Sequence, residues 1–227
     1  MRLRQQVVAT IAVTFAMTVA SLGDVAVADA TVPLGGGAGI IVNGTYCTLG
    51  TIGHDSSGEL VGFTASRCGG PGSQVAAEGS GVTVGSVVAA SDNPKYAVIK
   101  FDPNKVAPTA AFDGFAINGV GADPVLGQGV CAHGGATGDV CGSVLIPAVN
   151  ASSTMVVNMP VGQWHPGDEG EPFTVDGLLV GLSNHGYTLP AFPAPPVTHT
   201  GLTFFSAIMN DANVKGGPGA GFSPVPA

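Results

Sequence analysis

The chain has 227 residues, of which 36 are glycine and only 10% are charged, and its formal net charge is −8. This length suits one all-β domain or two small lobes, and the glycine-rich, charge-poor composition is typical of an extracellular β protein. The negative charge argues against nucleic acid or an anionic membrane surface as a partner, since both require a basic patch.

The first 30 residues have the pattern of a secretory signal peptide. Arg2 and Arg4 precede the uncharged apolar run 7–22, and Ala28 to Ala30 offers a small-residue cleavage site. An N-terminal membrane anchor is the alternative, although the run is shorter than the roughly 20 residues that a spanning helix needs. We therefore predict a secreted, extracellular protein with no membrane attachment after cleavage, whose folded domain is residues 31–227.

Short apolar runs separated by turn residues follow a Gly-rich lead-in at residues 31–39. Such runs predict short strands, and Asn43-Gly44 is a dipeptide typical of tight hairpins. In the first half of the domain, strands are predicted at 40–42, 46–52, 60–65, 82–90 and 96–101.

The Gly-rich segment 112–125 is predicted to join two lobes, lobe one at about 40–115 and lobe two at about 116–200. In lobe two, strands are predicted at 130–146, as a hairpin, and at 155–159, 173–175 and 178–182, whereas 188–198 carries four prolines and is predicted to be a loop.

The C-terminal part of the chain contains the one predicted helix. Leu202, Phe205, Ile208 and Met209 have helical spacing, which predicts a helix at about 202–213, and the Gly/Pro-rich tail 216–227 is predicted to be flexible. Many short strands with a single terminal helix predict an all-β fold of two packed barrels.

All four cysteines follow the predicted leader, which indicates two disulfides formed in an oxidising compartment. Three pairings are possible, and the pairing of Cys47 with Cys68 and of Cys131 with Cys141 is the local one. A zinc site is the alternative, but the spacings lack the C-x-x-C pattern of a zinc knuckle.

Four segments match known sequence blocks in the right order along the chain. Gly62 to Cys68 matches a strand that ends in Thr-Ala-x-His-Cys, and Lys95 to Ile99 matches Asp-Tyr-Ala-Val. Cys131 to Gly142 matches Cys-x-x-Gly-x-x-Thr-Gly-x-x-Cys-Gly, and Gly167 to Pro172 matches Gly-Asp-Ser-Gly-Gly-Pro. Together they resemble the chymotrypsin/trypsin-like serine proteases, especially the secreted bacterial branch that includes streptogrisins and α-lytic protease.

The resemblance covers most of residues 40–215 and implies two packed six-stranded Greek-key β-barrels with a short C-terminal helix. It supports the disulfides Cys47–Cys68 and Cys131–Cys141, and it implies no metal and no cofactor. It also places the former oxyanion loop at Gly167, Asp168 and Glu169, where Asp168 would anchor the loop by hydrogen bonds or a charge partner.

The three catalytic positions of the family are all substituted. Its histidine falls on Arg67, its aspartate on Lys95 and its serine on Glu169. Arginine cannot accept a proton at neutral pH, and a carboxylate has no proton for a base to remove. Because loss of one triad member already removes most of the rate, peptide hydrolysis by the family mechanism is predicted to be absent.

The substituted residues suggest a replacement structure at the same place. We predict that Arg67 and Glu169 form a salt bridge that plugs the former site, and that Lys95 and Glu171 extend it into a four-charge cluster. The alternative is that each charge points into water, where ion pairs contribute little.

Other polar residues are candidates to replace the lost catalytic side chains. His165 precedes the loop and His133 lies in the hairpin 130–146, but each is more simply a hydrogen-bonded or solvated histidine. Asp92 lies near Lys95, where a loop shift would let it mimic the lost aspartate. A zinc site of His165 with Asp168 or Glu169 lacks a recognised ligand spacing.

The leading functional hypothesis is a secreted, catalytically inactive protease homologue that binds an extended peptide or a protein in the cleft between the lobes, as a monomer. One alternative is a serine endopeptidase or other hydrolase with a non-standard site. The other is a structural or host-facing protein that uses its surface, which an exposed apolar patch away from Glu169 would favour.

Overall fold

The structure, a computed structural model, describes residues 31–146, 153–159, 165–189 and 197–227. The predicted leader at 1–30 and part of the Pro-rich segment 188–198 lie outside these residues. The first half of the domain contains nine short strands. They are β1 (Val32–Leu34), β2 (Gly39–Val42), β3 (Thr45–Thr48), β4 (Thr51–His54), β5 (Leu60–Thr64), β6 (Gln74–Ala77), β7 (Thr83–Asp92), β8 (Lys95–Phe101) and β9 (Val106–Pro108).

The second half contains further strands and an α-helix. They are β10 (Ala111–Phe112), β11 (Phe115–Ala116), β12 (Gly119–Val120), β13 (Gly129–Gly134), β14 (Gly138–Ile146), β15 (Thr154–Asn158), β16 (Pro172–Val175), β17 (Leu178–Leu189), β18 (Val197–Phe204), α1 (Phe205–Lys215) and β19 (Ser223–Pro224).

The first barrel is built from β2 to β8. Antiparallel pairing runs from β4 through β5, β8, β7 and β6 to β2, which pairs with β3. Only Leu49 and Gly50 separate β3 from β4, so these two pieces act as one interrupted strand that closes a ring of six. The predicted Asn43-Gly44 turn joins β2 to β3, and both residues have positive φ, at 46° and 85°.

The second barrel is a closed ring of six strands. β17 pairs with β16, then β13, β14, β15 and β18 follow, and β18 pairs back with β17. When β3 and β4 are counted as one strand, both barrels have the same order around the ring. The predicted all-β fold of two six-stranded Greek-key barrels is therefore confirmed.

The two barrels and the helix share a core. Phe63 and Val61 of β5 pack with Leu179 and Leu182 of β17 and with Phe205 of α1. β5 is buried at every position, because one of its faces points into the first barrel and the other lies against the second. This shared interface brings the end of β5, the start of β8 and the loop before β16 together.

The helix and the tail differ from the sequence predictions. The helix begins at Phe205 and ends at Lys215, because Leu202 belongs to β18 and is buried in the second barrel. The tail predicted to be flexible makes specific contacts in the structure. Ser223–Pro224 pairs with β4, and the Phe222 ring lies 5.0 Å from Phe63, centroid to centroid.

Within the described residues, no helix is both long and apolar enough to cross a membrane.

Candidate functional site

Arg67 lies on a short 3₁₀ turn, Ser66–Cys68, that follows β5. The turn is held by the disulfide between Cys68 and Cys47 of β3, whose Cα atoms are 6.1 Å apart. The second disulfide joins Cys131 and Cys141 across the hairpin of β13 and β14. Both pairs agree with the local pairing, and the first one fixes the backbone that carries Arg67.

The loop Gly167–Glu171, which leads into β16, is anchored by the buried carboxylate of Asp168. Its Oδ1 accepts hydrogen bonds from the amides of Ala136 and Thr137, each at 3.2 Å, and its Oδ2 accepts one from the amide of His165 at 2.7 Å. Charge-assisted hydrogen bonds of this kind are stronger than neutral ones. The expected anchoring role of Asp168 thus rests on backbone amides.

Thr48 of β3 connects the first barrel to this loop. Its buried hydroxyl donates to the carbonyl of Gly167 and accepts from the amide of Gly135, both at 2.8 Å. Its own amide donates to the carbonyl of Glu169 at 2.9 Å. One residue therefore ties together the loop, the β13–β14 hairpin and the first barrel.

The position after Glu169 requires glycine. Gly170 has φ +91°, and a Cβ there would lie 2.4 Å from the carbonyl oxygen of Thr48 and 2.2 Å from the hydroxyl of Thr64. A side chain would combine a disfavoured backbone conformation with a backbone clash. The tight approach of the loop to the first barrel explains this glycine.

Both carboxylate oxygens of Glu169 have a partner nearby. Oε2 accepts a hydrogen bond from the amide of Gly167 at 2.8 Å, and Oε1 lies 3.8 Å from Nε of Arg67. The predicted Arg67–Glu169 pair is present, but the Arg67 side chain is 54% exposed and the distance is too long for a bidentate hydrogen bond. Such a pair contributes about 0–1 kcal/mol to stability.

The predicted four-charge cluster does not form. The Glu171 carboxyl is buried, and its charged neighbour is Asp168, whose negative charge adds to the effect of burial. Burial, followed by repulsion from Asp168, raises the pKa of Glu171 well above its usual range. The Lys95 ammonium instead lies 3.4 Å from Nδ1 of His185 in β17.

Arg67, Lys95 and His185 surround a cavity of about 220 Å³, which we call the basic pocket. Asp92 and the buried Asn184 also line it. Burial, then the charges of Lys95 and Arg67, lowers the pKa of His185. The ammonium of Lys95 is a donor only, so Nδ1 of His185 is the acceptor in this contact. The basic pocket lies where the end of β5, the start of β8 and β17 meet.

The other candidate residues named from the sequence, His133, His165 and Asp92, lie at separate positions in the structure. Nδ1 of the buried His133 is 2.6 Å from Oδ1 of Asp139, and its ring packs on Phe115, so it is a satisfied core histidine. His165 is exposed and contributes its backbone amide to Asp168. Asp92 is exposed at the rim of the basic pocket. The described residues contain no group of three or more side chains suited to a metal ion.

Several solved protease structures superpose on the chain. Thermobifida fusca protease A gives a TM-score of 0.61 at 17% identity, covering 86% of this chain and 100% of that one. Cellulomonas bogoriensis chymotrypsin gives 0.59 at 20% identity, covering 80% and 97%. The chain has the chymotrypsin-like serine protease fold. An inactivated protease paralogue of the scabies mite, S-D1, also superposes, with a TM-score of 0.52 at 13% identity and coverage of 80% and 97%.

No family model matches the chain, and no curated protein matches it in sequence. The sequence motifs that indicated the chymotrypsin-like fold are short, and each of them touches the same interface between the barrels. Arg67 and Lys95 line one cavity there, and Glu169 contacts Arg67 from the loop side.

Sequence reasoning did not single out His185 and Asn184. Both lie in β17, whose sequence is an apolar strand up to Leu182 and then turns polar. That change within one predicted strand is the signal that a polar site begins there. Which neighbours these two residues meet depends on the packing of β17 against β8, which the sequence does not reveal.

Proposed function

We propose that this protein is a secreted, catalytically inactive relative of the chymotrypsin-like serine proteases that binds an extended peptide or protein segment between its two barrels. The observation that carries the proposal is the position of the Glu169 carboxylate. By resemblance, Glu169 replaces the nucleophilic serine, and its carboxylate accepts the Gly167 amide at 2.8 Å. That amide belongs to the loop that would stabilise an oxyanion.

Two chemical steps of peptide hydrolysis lack a suitable residue at these positions. A carboxylate at position 169 is no substitute for an alcohol that a base can activate, and Arg67 is not a base at neutral pH. The Glu169 carboxylate also brings a negative charge to the place where an oxyanion would develop, which raises the energy of that transition state. These arguments support a loss of acyl transfer, with the scaffold retained.

The change of partners along β17 supports peptide binding. β16 pairs with β17 as far as Leu182, and β18 pairs with β17 from Gly181 to Leu189, so the pairing with β16 ends where β17 reaches the former site. An extended peptide binds between two such barrels by adding a strand to a sheet through backbone hydrogen bonds.

Secretion is part of the proposal. Two disulfides agree with an oxidising compartment, and the charged n-region, apolar run and small-residue site of residues 1–30 have the pattern of a leader.

The proposed loss of catalysis is tested on the oxidised, secreted protein. It is incubated with a fluorogenic peptide library and with a serine-directed fluorophosphonate probe, with chymotrypsin as the positive control. We expect neither turnover nor labelling. Turnover that is abolished by Glu169→Ala or His165→Ala contradicts the proposal, because it would reveal a catalytic arrangement that uses these residues.

A second candidate function, surface interaction, is favoured by exposed apolar side chains on the segment that follows β12. Val125 and Leu126 are 67% and 62% exposed, and neither lines the basic pocket. Capture of a partner that is lost in a Val125→Ser/Leu126→Ser variant, and is unaffected by Arg67→Gln, would favour this function.

A further inference from the structure

A cavity of about 450 Å³ lies between β1, the turn after β6 and the turn of the β13–β14 hairpin. Its lining shares no residue with that of the basic pocket. One wall is apolar and is formed by β1 and by Phe112 of β10. Glu78 and Asp113 are the charged side chains in its lining, and both are acidic. We call it the acidic cavity.

Neither of these two carboxylates has an ion-pair partner among the described residues, because the recorded salt bridges join other acidic residues. A Cβ added at Gly39, which lines the cavity, would overlap Oε2 of Glu78, so this carboxylate lies over the glycine at the cavity wall. Asp113 is exposed in the Asp113-Gly114 turn between β10 and β11. Two uncompensated negative charges at one concave surface focus a negative potential there.

His133 adds a hydrogen-bond acceptor to the same cavity. Its side chain is 6% exposed, and its Nδ1 lies 2.6 Å from Oδ1 of Asp139. A carboxylate accepts only, so Nδ1 carries a proton and Nε2 of the neutral ring is an acceptor. In the part of the chain that the structure describes, Nε2 has no hydrogen-bond partner and is not sealed from solvent. The small exposed part of the ring therefore opens into the cavity that the ring lines.

These features fit a long side chain with a cationic tip. The apolar wall matches the CH₂ stem of lysine or arginine, which packs along apolar surface while its charged end reaches polar groups. The two carboxylates and Nε2 of His133 match the N–H donors of the tip. A metal ion is a poorer match, because it has no apolar part and the described residues contain no group of three or more side chains suited to one.

A smaller cavity of about 80 Å³ adjoins the acidic cavity. The two linings share Glu78, Gly135 and Ala136, and the smaller cavity continues to Tyr46, which is 57% exposed. Exposed aromatic side chains are common contact residues in protein interfaces. A peptide occupies both cavities, whereas a free amine occupies one of them.

We propose that the acidic cavity binds the side chain of a lysine or arginine in a peptide segment of a second protein, with the adjoining peptide residues against Tyr46. Glu78 and Asp113 pair with the cationic tip, and β1 and Phe112 contact its stem. This site is separate from the cleft of the proposed function, and neither depends on the other.

The first experiment uses small probes with matched stems. Nα-acetyl-lysine amide, Nα-acetyl-arginine amide and Nα-acetyl-norleucine amide are each titrated into the folded, oxidised protein, and the backbone ¹H–¹⁵N shifts of Gly79, Asp113 and Gly138 are followed by NMR. We expect saturable shifts with a cationic probe, which weaken as salt is raised, and none with the norleucine probe, which has the stem without the charge. The tighter cationic probe assigns lysine or arginine. Equal responses to all three probes, or no response to any, overturn the proposal.

Matched variants separate the cavity from the net charge of the protein. Glu78→Gln and Asp113→Asn should each weaken binding of the cationic probe roughly threefold, because each removes one partner of a partly exposed ion pair. Asp176→Asn is the control. Asp176 is, like Asp113, an exposed residue of an Asp-Gly turn with positive φ, 49° against 47°, and it does not line the cavity.

Asparagine tolerates this backbone conformation as aspartate does, so both substitutions remove the same charge and keep the turn. Asp176→Asn should change binding of the cationic probe less than about 1.5-fold. An effect equal to that of Glu78→Gln and Asp113→Asn would mean that only the net charge attracts the probe, and it overturns the proposal.

The second experiment tests the peptide. Random peptides are selected on the oxidised protein and resynthesised with each lysine changed to norleucine and each arginine to citrulline. We expect one basic residue to be required, and binding to weaken with Glu78→Gln and not with Arg67→Gln. Selected peptides that depend on Arg67 and not on Glu78 support the proposed function and count against this site. Cationic probes that bind while no selected peptide depends on Glu78 overturn the assignment to a peptide.

Discussion

Glu171 and Glu169 are two residues apart in the same loop, yet their carboxyl groups have opposite electrostatic surroundings. The Glu169 carboxylate accepts the Gly167 amide and lies near Arg67, so its charge is compensated. The Glu171 carboxyl is buried and next to Asp168, so its charge is opposed. At the scale of single residues, the loop therefore carries one carboxylate with a hydrogen-bond donor and a cation nearby and one carboxyl group that favours its neutral form.

The raised pKa of Glu171 predicts a dependence of stability on pH. Above the unfolded pKa of about 4.3, the unfolded chain releases this proton while the folded protein keeps it, so stability falls as pH rises until the folded pKa is passed. Glu171→Gln keeps the shape of the neutral carboxyl. We expect it to raise the melting temperature at about pH 8 and to have little effect at about pH 4.

Thermal unfolding of both proteins across this pH range checks the prediction. Glu59→Gln is the matched control, because Glu59 is 48% exposed and its salt bridge is with Lys100 at the surface. A gain from Glu171→Gln that is the same at every pH would contradict a buried, neutral carboxyl.

At the scale of elements, α1 and the tail act as a cover over the outside of the first barrel. The Phe222 ring packs on Phe63 and Phe205 at centroid distances of 5.0 and 6.0 Å. Tyr96 donates from its hydroxyl to Asp211 of α1 at 2.8 Å, and Lys215 donates to the same carboxylate at 2.6 Å. The helix is thus held both by apolar packing and by a polar network.

The packing of Phe222 predicts a large effect for a residue so near the C-terminus. Phe222→Ala should lower the free energy of unfolding by about 3 kcal/mol, as expected for removal of a buried aromatic ring. Val214→Ala on the same cover is the control, since Val214 is 80% exposed and should change stability by less than about 0.5 kcal/mol. Urea unfolding measures both, and equal small effects would mean that the tail is not packed.

At the scale of the whole molecule, the loop that carries Glu169 belongs to the second barrel but is held by the first. Thr48 contributes three hydrogen bonds across this interface, to Gly167, Gly135 and Glu169. The Cys47–Cys68 disulfide holds the neighbouring backbone and carries Arg67 towards the same loop. The site therefore depends on the docking of two barrels that are far apart in sequence.

Thr48→Val tests this dependence, because it keeps the shape of the side chain and removes the hydroxyl. We expect a loss of about 1–3 kcal/mol, since a buried amide and a buried carbonyl lose their partner. Hydrogen exchange should quicken at Gly135, whose amide donates to that hydroxyl. Thr45→Val, on the exposed side of the same strand, should leave exchange at Gly135 unchanged.

The strand pattern and the order of the motifs were enough to predict the double-barrel fold. Alternating runs and turn residues are local features, and the Asn43-Gly44 hairpin and the β13–β14 hairpin were predicted from them. The pairing of Arg67 with Glu169 also followed from the resemblance. The helix was predicted to begin at Leu202 but begins at Phe205. Leu202 fits the helical spacing of apolar residues and also the alternation of buried residues along β18.

Contacts between distant segments were decided by the tertiary structure alone. From the sequence, Lys95 and Glu171 were predicted to join one charge cluster. The packing of β17 instead brings His185 to Lys95. The turn after Glu169 buries Glu171 beside Asp168. The Gly/Pro-rich tail has no periodicity, and only its docking on β4 and Phe63 orders it. Residue type and local spacing determine which strands form, whereas the partner of each buried charge is set by how the two barrels pack.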